Sequence, residues 1–165
     1  MNWEILGIIA EIVGAAAVVV TLIFLTKETR LNRLAAESNS VDALAAGWNE
    51  LNTNLLNDPE LCELWVKAFA NPEALSELEQ LRFMLLGQCY VNHFSTAKKH
   101  YDAGTLPKKD WDAHKNGSGQ IMNTPGGLWL LNNIVVTADV KHALVDFERD
   151  EKVKPHMWAA GNAEQ

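Results

Sequence analysis

The sequence has few cysteines and few basic residues. Its 165 residues include two cysteines, too few for a disulfide framework, so a reducing compartment is the simpler expectation. Only 14 Lys and Arg residues stand against 21 Asp and Glu residues, and the formal net charge is -7. A protein that binds nucleic acid needs a surplus of positive charge for the phosphates, so nucleic acid is not an expected partner.

Signals of β-strands are also scarce. After the N-terminal segment, the one β-branched run is Ile134, Val135, Val136 and Thr137, which is short for a strand. Hydrophobic residues at 48% and charged residues at 21% exclude a disordered chain. The length suits one compact domain with an appendage. These features together predict an all-α protein.

The N-terminal segment is a long apolar run. Residues 5–25 form a stretch of 21 residues with one charged side chain, Glu11. About 20 apolar residues in a helix cross a hydrocarbon core of roughly 30 Å. Trp3 precedes the run, and Lys27, Arg30 and Arg33 follow it, as expected for anchors at the two membrane interfaces. The run therefore predicts a single transmembrane helix.

The charges that flank this run predict its orientation and argue against a cleaved signal peptide. A signal peptide has basic residues before its apolar core and small residues after it, whereas residues 1–4 contain no Lys or Arg. The small residues 15–17 lie inside the run, with more apolar residues beyond them. Because basic residues favour the cytoplasmic side, we expect the N-terminus outside and the C-terminal region in the cytoplasm.

Small and polar residues of the span share one stripe with a 3-4 spacing. A seam of this period is typical of helices that wind around each other. Small residues allow close approach of backbones in a membrane, and polar residues form hydrogen bonds across the interface. The predicted pore or helix-interface residues are Glu4, Gly7, Glu11, Gly14, Val18, Thr21, Leu25 and Glu28.

Glu11 has three alternative interpretations. A carboxylate at membrane depth usually faces protein or water, because exposure to lipid is costly. Several copies of the helix could surround a pore in which a ring of Glu11 side chains favours cations. Glu11 could instead be protonated or bonded to a neighbouring helix, in which case the span serves only as an anchor and assembly surface. The third alternative places Glu11 close enough to the outer interface to reach water.

Caps and breaks divide the rest of the chain into helices. Asp58 with Pro59 predicts a helix start, and Ser76 with Glu79 matches a capping box that opens a helix ending near Gly104. Further helices are predicted to begin at Pro107, at Thr124 and at Thr137. The run Asn116-Gly117-Ser118-Gly119 is predicted to interrupt or end the helix that begins at Pro107.

These elements predict four segments. Residues 1–26 form the transmembrane helix, and residues 27–57 continue it as a long stalk helix, since neither Pro nor Gly interrupts residues 27–46. Residues 58–150 form a cytoplasmic helical bundle, and residues 151–165 form a C-terminal tail. The fold class is therefore all-α, with one N-terminal transmembrane helix, a stalk and a bundle.

Residues with chemical potential form pairs but not larger motifs. Cys89 and His93 share one face of a helix, but a metal site needs three or four ligands. Asp110 and His114 have the same spacing and could form an acid/base pair, but a surface helix with charged neighbours explains them more simply. No nucleophile motif or phosphate-binding loop is present in the sequence. We therefore predict no catalytic residues, no metal site, no cofactor and no enzymatic activity.

Several motifs in fixed order carry a resemblance to a known family. They are AEIVGA at 10–15, VVVTLIFL at 18–25, Arg30, Asn32, DPELCELW at 58–65, Arg82-Phe83, Tyr101 with Gly104, Trp111, and Pro125-Gly126-Gly127 before Trp129. With these motifs the chain resembles a family of small bacterial membrane-anchored proteins that combine an N-terminal transmembrane helix with a helical cytoplasmic domain. The resemblance implies this architecture and a bacterial inner membrane, and it implies no activity.

The leading hypothesis is therefore a single-pass inner-membrane protein that forms a symmetric homo-oligomer through its N-terminal helix. Its expected partners are membrane lipid and further copies of itself, and its role is structural or that of a cation pore. The alternative hypothesis is a membrane-anchored accessory or sensor subunit, in which Glu11 pairs with a different membrane protein.

Overall fold

The computed structural model describes residues 3–146, and these residues form helices and connecting segments without any strand. The helices are α1 (Trp3–Asn57), α2 (Pro59–Ala70), α3 (Glu77–Asp102), α4 (Lys108–Met122), α5 (Pro125–Asn133) and α6 (Ala138–Val145), with a short 3-10 turn at Pro72–Ala74. The prediction of a helical protein with a long apolar N-terminal helix is confirmed. The predicted tail at 151–165 and the last four residues of the predicted bundle lie outside the described residues.

The chain divides into two units, which we call the N-terminal unit (up to Asn39) and the C-terminal unit (from Ser40). The described part of the N-terminal unit is helix from Trp3 onward. Its apolar window is long and apolar enough to span a membrane, and none of that window is buried within the described chain. Apolar surface in this amount is unfavourable in water, at about 25 cal/mol for each Å².

The C-terminal unit has its own hydrophobic core. Its largest fully buried side chains are Phe69, Phe83, Val91, Phe94, Met122, Leu130 and Leu144. Helix α1 also contributes to this core, because Leu44 is buried in it and Trp48 and Leu55 pack against it. The sequence analysis grouped residues 27–57 into one stalk; in the structure, the stretch after Ser40 packs with the C-terminal unit.

Side-chain caps begin α2, α3 and α5 where the sequence predicted them, whereas α6 begins after Thr137 without a side-chain cap hydrogen bond. The Asp58 carboxylate accepts a hydrogen bond from the amide of Leu61 at 3.0 Å, and Ser76 and Glu79 form the predicted capping box. The Thr124 hydroxyl accepts a hydrogen bond from the amide of Gly127 at 3.1 Å. Such caps satisfy amide groups that have no partner within the helix itself.

The end of α3 also follows the prediction. Helix α3 ends at Asp102, and Gly104 has a φ of 71°, the one positive φ among the described residues. A side chain with a Cβ atom rarely adopts this backbone conformation, so glycine favours the turn here.

The predicted break at residues 116–119 is wrong, because α4 continues through it to Met122. Ser118 and Gly119 are buried, and the Gly119 carbonyl accepts hydrogen bonds from the backbone amide and the side-chain amide of Asn123. Each glycine inside a helix costs about 0.5–1 kcal/mol relative to alanine. Burial of the surrounding face offsets this local preference, so tertiary packing decides the conformation.

Glycines at the start of α5 permit a close approach of backbones. A Cβ atom at Gly126 would lie 2.2 Å from the carbonyl oxygen of Ala68 and 2.5 Å from the Cα atom of Phe69. A Cβ atom at Gly127 would lie 2.5 Å from the Cα atom of Met122. The backbone of α5 therefore rests directly on α2 and on the end of α4, and these contacts leave no room for a side chain.

We predict that Gly126→Ala lowers the free energy of unfolding by about 3 kcal/mol, because the backbone of α2 must move to admit the methyl group. Gly117→Ala is the matched control, since a Cβ atom there meets nothing within 4 Å. It should leave stability unchanged or raise it by up to about 1 kcal/mol. Urea unfolding of the full chain in mild detergent, followed by tryptophan fluorescence, measures both; equal stabilities would contradict the proposed packing.

Candidate functional site

The predicted interface stripe lies on α1 with all of its side chains exposed. Each of the eight stripe residues is on the surface of the described chain. Open space surrounds Gly7 and Gly14, where a Cβ atom would meet nothing within 4 Å. Within residues 3–146, Glu11 forms no hydrogen bond or ion pair. The stripe is therefore available to a second molecule along the length of the apolar segment.

Threonine hydroxyls on α1 satisfy their hydrogen-bonding needs within the helix. Thr21 Oγ1 donates to the Ala17 carbonyl at 2.8 Å, and Thr26 Oγ1 donates to the Leu22 carbonyl at 2.7 Å. Thr29 Oγ1 repeats the contact with the Leu25 carbonyl at 2.8 Å. A hydroxyl that bonds to its own helix needs no water, which suits a helix in lipid.

The predicted interface anchors lie at the two ends of the apolar segment. Trp3 is exposed over 74% of its surface at the first described position of α1. Lys27 and Arg30 are also exposed, and the Arg33 guanidinium lies 3.1 Å from the Glu37 carboxylate in an i, i+4 ion pair. These placements match the sequence pattern of an interfacial tryptophan and a basic flank.

A second candidate site lies in the C-terminal unit, where histidine and aromatic rings from three helices meet. The ring centroids of Trp48 on α1 and Tyr90 on α3 are 5.3 Å apart. The ring of His93 on α3 lies 5.2 Å from that of His114 on α4, and both imidazoles contact the Trp48 indole, at 5.6 and 6.2 Å. Gly47 permits the approach of α1, since a Cβ atom there would lie 3.0 Å from Nδ1 of His93.

An open cavity of about 470 Å³ borders this ring cluster. Its lining residues are Trp48, Tyr90, Asp110, Ala113, His114, Gly117, Ser118 and Ile121. Three aromatic or imidazole rings, one carboxylate and one serine hydroxyl line a space large enough for a small organic molecule, and we call it the polar-aromatic cavity.

A second cavity of about 380 Å³ has an almost entirely apolar lining and shares Trp48, Tyr90 and Ile121 with the first. The rest of its wall consists of Leu51, Asn52, Leu55, Leu56, Cys62, Trp65, Val66 and Leu86. Its lining contains no carboxylate, imidazole or ammonium group, so the polar-aromatic cavity is the stronger candidate for specific binding of a polar ligand.

Three polar atoms of the ring cluster are buried without a hydrogen-bond partner among the described residues. They are the Tyr90 hydroxyl and the Nε2 atoms of His93 and His114. The Ser118 hydroxyl is close enough to Tyr90 to favour its ionised form slightly, but the pair lacks the geometry of a hydrogen bond. Buried polar groups are usually paired, so these unpaired groups identify the cluster as an exception in the core.

Burial holds all three rings in their neutral forms near pH 7. Desolvation raises the pKa of the Tyr90 phenol well above its usual value. Desolvation lowers the pKa of His114 to about 4, with a smaller contribution from the nearby His93. Desolvation also lowers the pKa of His93. Both imidazoles therefore offer a lone pair on one ring nitrogen at neutral pH.

The structure combines the predicted pairs differently from the sequence. Cys89 is exposed, and His93 contacts His114 on another helix instead. Asp110 and His114 do line one cavity together. Among residues 3–146, no three His, Cys, Asp or Glu side chains converge as metal ligands would. No spacing in the sequence indicates a contact between histidines 21 positions apart, so sequence reasoning missed this cluster.

Comparison of the chain with known protein-family models, curated proteins and solved structures finds no significant match in any of the three. The resemblance to membrane-anchored bacterial proteins stays a prediction from the motifs that carry it.

We predict that His114→Phe reduces the loss of stability in mild acid. The pKa of His114 lies near 4 in the folded chain and near 6.5 when unfolded, so the unfolded chain binds more protons between these values. Stability from this group is present above pH 6.5 and falls as the pH decreases towards 4. Between pH 7 and pH 5 the loss is about 2 kcal/mol, and the variant should lack it.

Urea unfolding of the full chain in mild detergent at pH 7 and pH 5 provides the measurement. The phenylalanine ring keeps an aromatic surface against Phe94, whose ring lies parallel to that of His114 at 5.8 Å. His142→Phe is the matched control, because His142 is on the surface of α6. If His114→Phe kept the full pH dependence of the wild type, the assignment of a buried neutral imidazole would be wrong.

Proposed function

We propose that this protein is a single-pass membrane protein that assembles with itself through the stripe of small and polar residues on α1. The exposed apolar window of α1 carries the proposal, since no part of it is buried within the described chain. The internal hydrogen bonds of Thr21, Thr26 and Thr29 also suit a helix in lipid. The basic flank favours a cytoplasmic C-terminal unit, and the motif resemblance favours a bacterial inner membrane.

Glu11 supplies the reason for assembly. A charged side chain at the centre of a bilayer costs about 2.5–3.5 kcal/mol when it faces lipid on a single helix, and Glu11 is the seventh of the 21 residues of the apolar run. Glu11 is exposed and unpartnered within the described residues. A symmetric assembly moves this side chain from lipid to an interface, where a protonated copy of Glu11 donates a hydrogen bond to the carboxyl group of another copy. Gly7 and Gly14, with open space around them, allow the close approach that this requires.

We predict that Gly14→Leu reduces the oligomer to monomers in mild detergent, because the larger side chain separates the helices at their closest approach. Ala16→Leu is the matched control. Ala16 lies two residues after Gly14, which corresponds to a rotation of about 200° around the helix axis and places it on the opposite side of α1. Native mass measurement of the intact particle is the test. A wild-type protein that is monomeric would overturn the proposal, as would equal effects of the two substitutions.

The cation-pore version of this assembly makes a separate prediction. If Glu11 forms a carboxylate ring around a water-filled axis, Glu11→Gln should lower cation conductance in a reconstituted planar bilayer, because the ring loses its negative charge. Ala16→Leu should leave the conductance unchanged. Absence of conductance in the wild-type oligomer would exclude the pore and leave assembly and anchoring as the role of α1.

The second candidate function is that of a membrane-anchored accessory or sensor subunit. The polar-aromatic cavity favours it, because a cavity with unpaired buried polar groups is a typical place for a small ligand. In this case Glu11 pairs with a different membrane protein. A foreign membrane protein present in stoichiometric amount in the native particle would support this candidate over self-assembly.

A further inference from the structure

We propose that the polar-aromatic cavity binds a small organic amine in its protonated form, with the ammonium group at Asp110 and Tyr90 and the apolar part against Trp48. This binding site lies wholly within the C-terminal unit and goes beyond the membrane assembly, on which it does not depend. Asp110 is the one charged side chain among the eight residues that line the cavity. Charge complementarity therefore favours a cation over an anion.

The polar groups of the lining can accept hydrogen bonds from an ammonium group. The Asp110 carboxylate is an acceptor only, and hydroxyl oxygens of Tyr90 and Ser118 can accept as well as donate. The imidazole of His114 is neutral at pH 7, because burial lowers its pKa to about 4. It therefore offers a lone pair and adds no positive charge that would repel a cation.

The aromatic rings add a second attraction for a cation. The planes of Tyr90 and His114 are inclined by 64° and 74° to the plane of Trp48. Because these rings are steeply inclined to each other, their faces and edges point in different directions. A cation within about 6 Å of an indole or phenol face is attracted to its π electrons, and this attraction is strongest in partly desolvated sites.

The unpaired Tyr90 hydroxyl is an independent indication of a ligand. Tyr90 is only 4% exposed, it lines the cavity, and its hydroxyl has no hydrogen-bond partner among the described residues. A buried hydroxyl without a partner destabilises the folded protein relative to a phenylalanine at the same position. An ammonium donor that reaches this oxygen from the cavity would pair with it and remove the destabilising effect.

Gly117 and Ile121 make room for the apolar part of the ligand. A Cβ atom at Gly117 would meet nothing within 4 Å, so the cavity is open at this turn of α4. Ile121 and Trp48 supply apolar surface to the lining. An amine with one aromatic ring and a short alkyl chain matches a lining that combines apolar and aromatic surface with one carboxylate.

Three probes of one shape test the proposal on the full chain in mild detergent. They are 2-phenylethylammonium, 2-phenylethanol and 3-phenylpropionate, which carry a positive, a neutral and a negative end. Isothermal titration at pH 7 and low salt should show saturable binding of the amine at least ten-fold tighter than that of the alcohol, and no saturable binding of the carboxylate. Equal affinities, tighter binding of the carboxylate, or no saturable binding of the amine would each overturn the proposal.

Charge variants on α4 locate the ammonium group. Asp110→Asn should weaken amine binding about ten-fold. Asp112→Asn removes the same charge from the same helix, where the carboxylate pairs with Lys108 outside the cavity, and should change affinity less than two-fold. Equal losses in both variants would mean that the amine responds to overall charge, which would overturn the assignment of the site.

Two further variants separate binding from stability. Tyr90→Phe should weaken amine binding about five-fold while the thermal unfolding midpoint stays equal or rises, since the variant loses an unpaired buried hydroxyl. Gly117→Leu should abolish binding by filling the cavity, whereas Gly117→Ala should keep it within three-fold. Wild-type affinity in either Tyr90→Phe or Gly117→Leu would overturn the proposal.

Discussion

The exclusion of apolar surface from water is the constraint on which both units of this protein depend. The C-terminal unit buries apolar side chains within its own core, where Phe69, Phe83 and Phe94 are fully buried. The apolar window of α1, in contrast, remains exposed, because none of it is buried within the described chain. The hydrophobic effect that stabilises the folded C-terminal unit therefore favours an apolar environment for the N-terminal helix. A bilayer, further copies of the helix, or both can supply that environment.

In the described part of the C-terminal unit, unpaired buried polar atoms and a cavity occur together near Trp48. Close contacts of bare backbone at Gly126 and Gly127 hold α5 against its neighbours without space for a methyl group. Near Trp48, in contrast, the packing leaves a cavity, neutral imidazoles and an unpaired phenol. Dense packing elsewhere makes this open region stand out, since stable cores rarely retain polar groups without partners.

Local patterns in the sequence predicted much of the helical architecture. Asp58, Ser76 and Thr124 cap helices because each side-chain oxygen lies within a few residues of the amide that it accepts from. Gly104 ends a turn because of its own backbone preference. The same local reasoning failed at residues 116–119, where burial of Ser118 and Gly119 against other helices outweighs the low helix propensity of glycine.

The sequence by itself determined that the protein is helical, that its N-terminal helix is apolar enough for a membrane, and which residues share a stripe on that helix. These properties follow from composition and from spacing along one helix, which the chain carries in its order of residues. Only the tertiary structure decided that His93 meets His114, that both contact Trp48, and that Tyr90 is buried without a partner. Contacts between helices depend on the packing of segments that are distant in the sequence. The protonation state of the two imidazoles depends on desolvation, and desolvation occurs only after these segments have packed together.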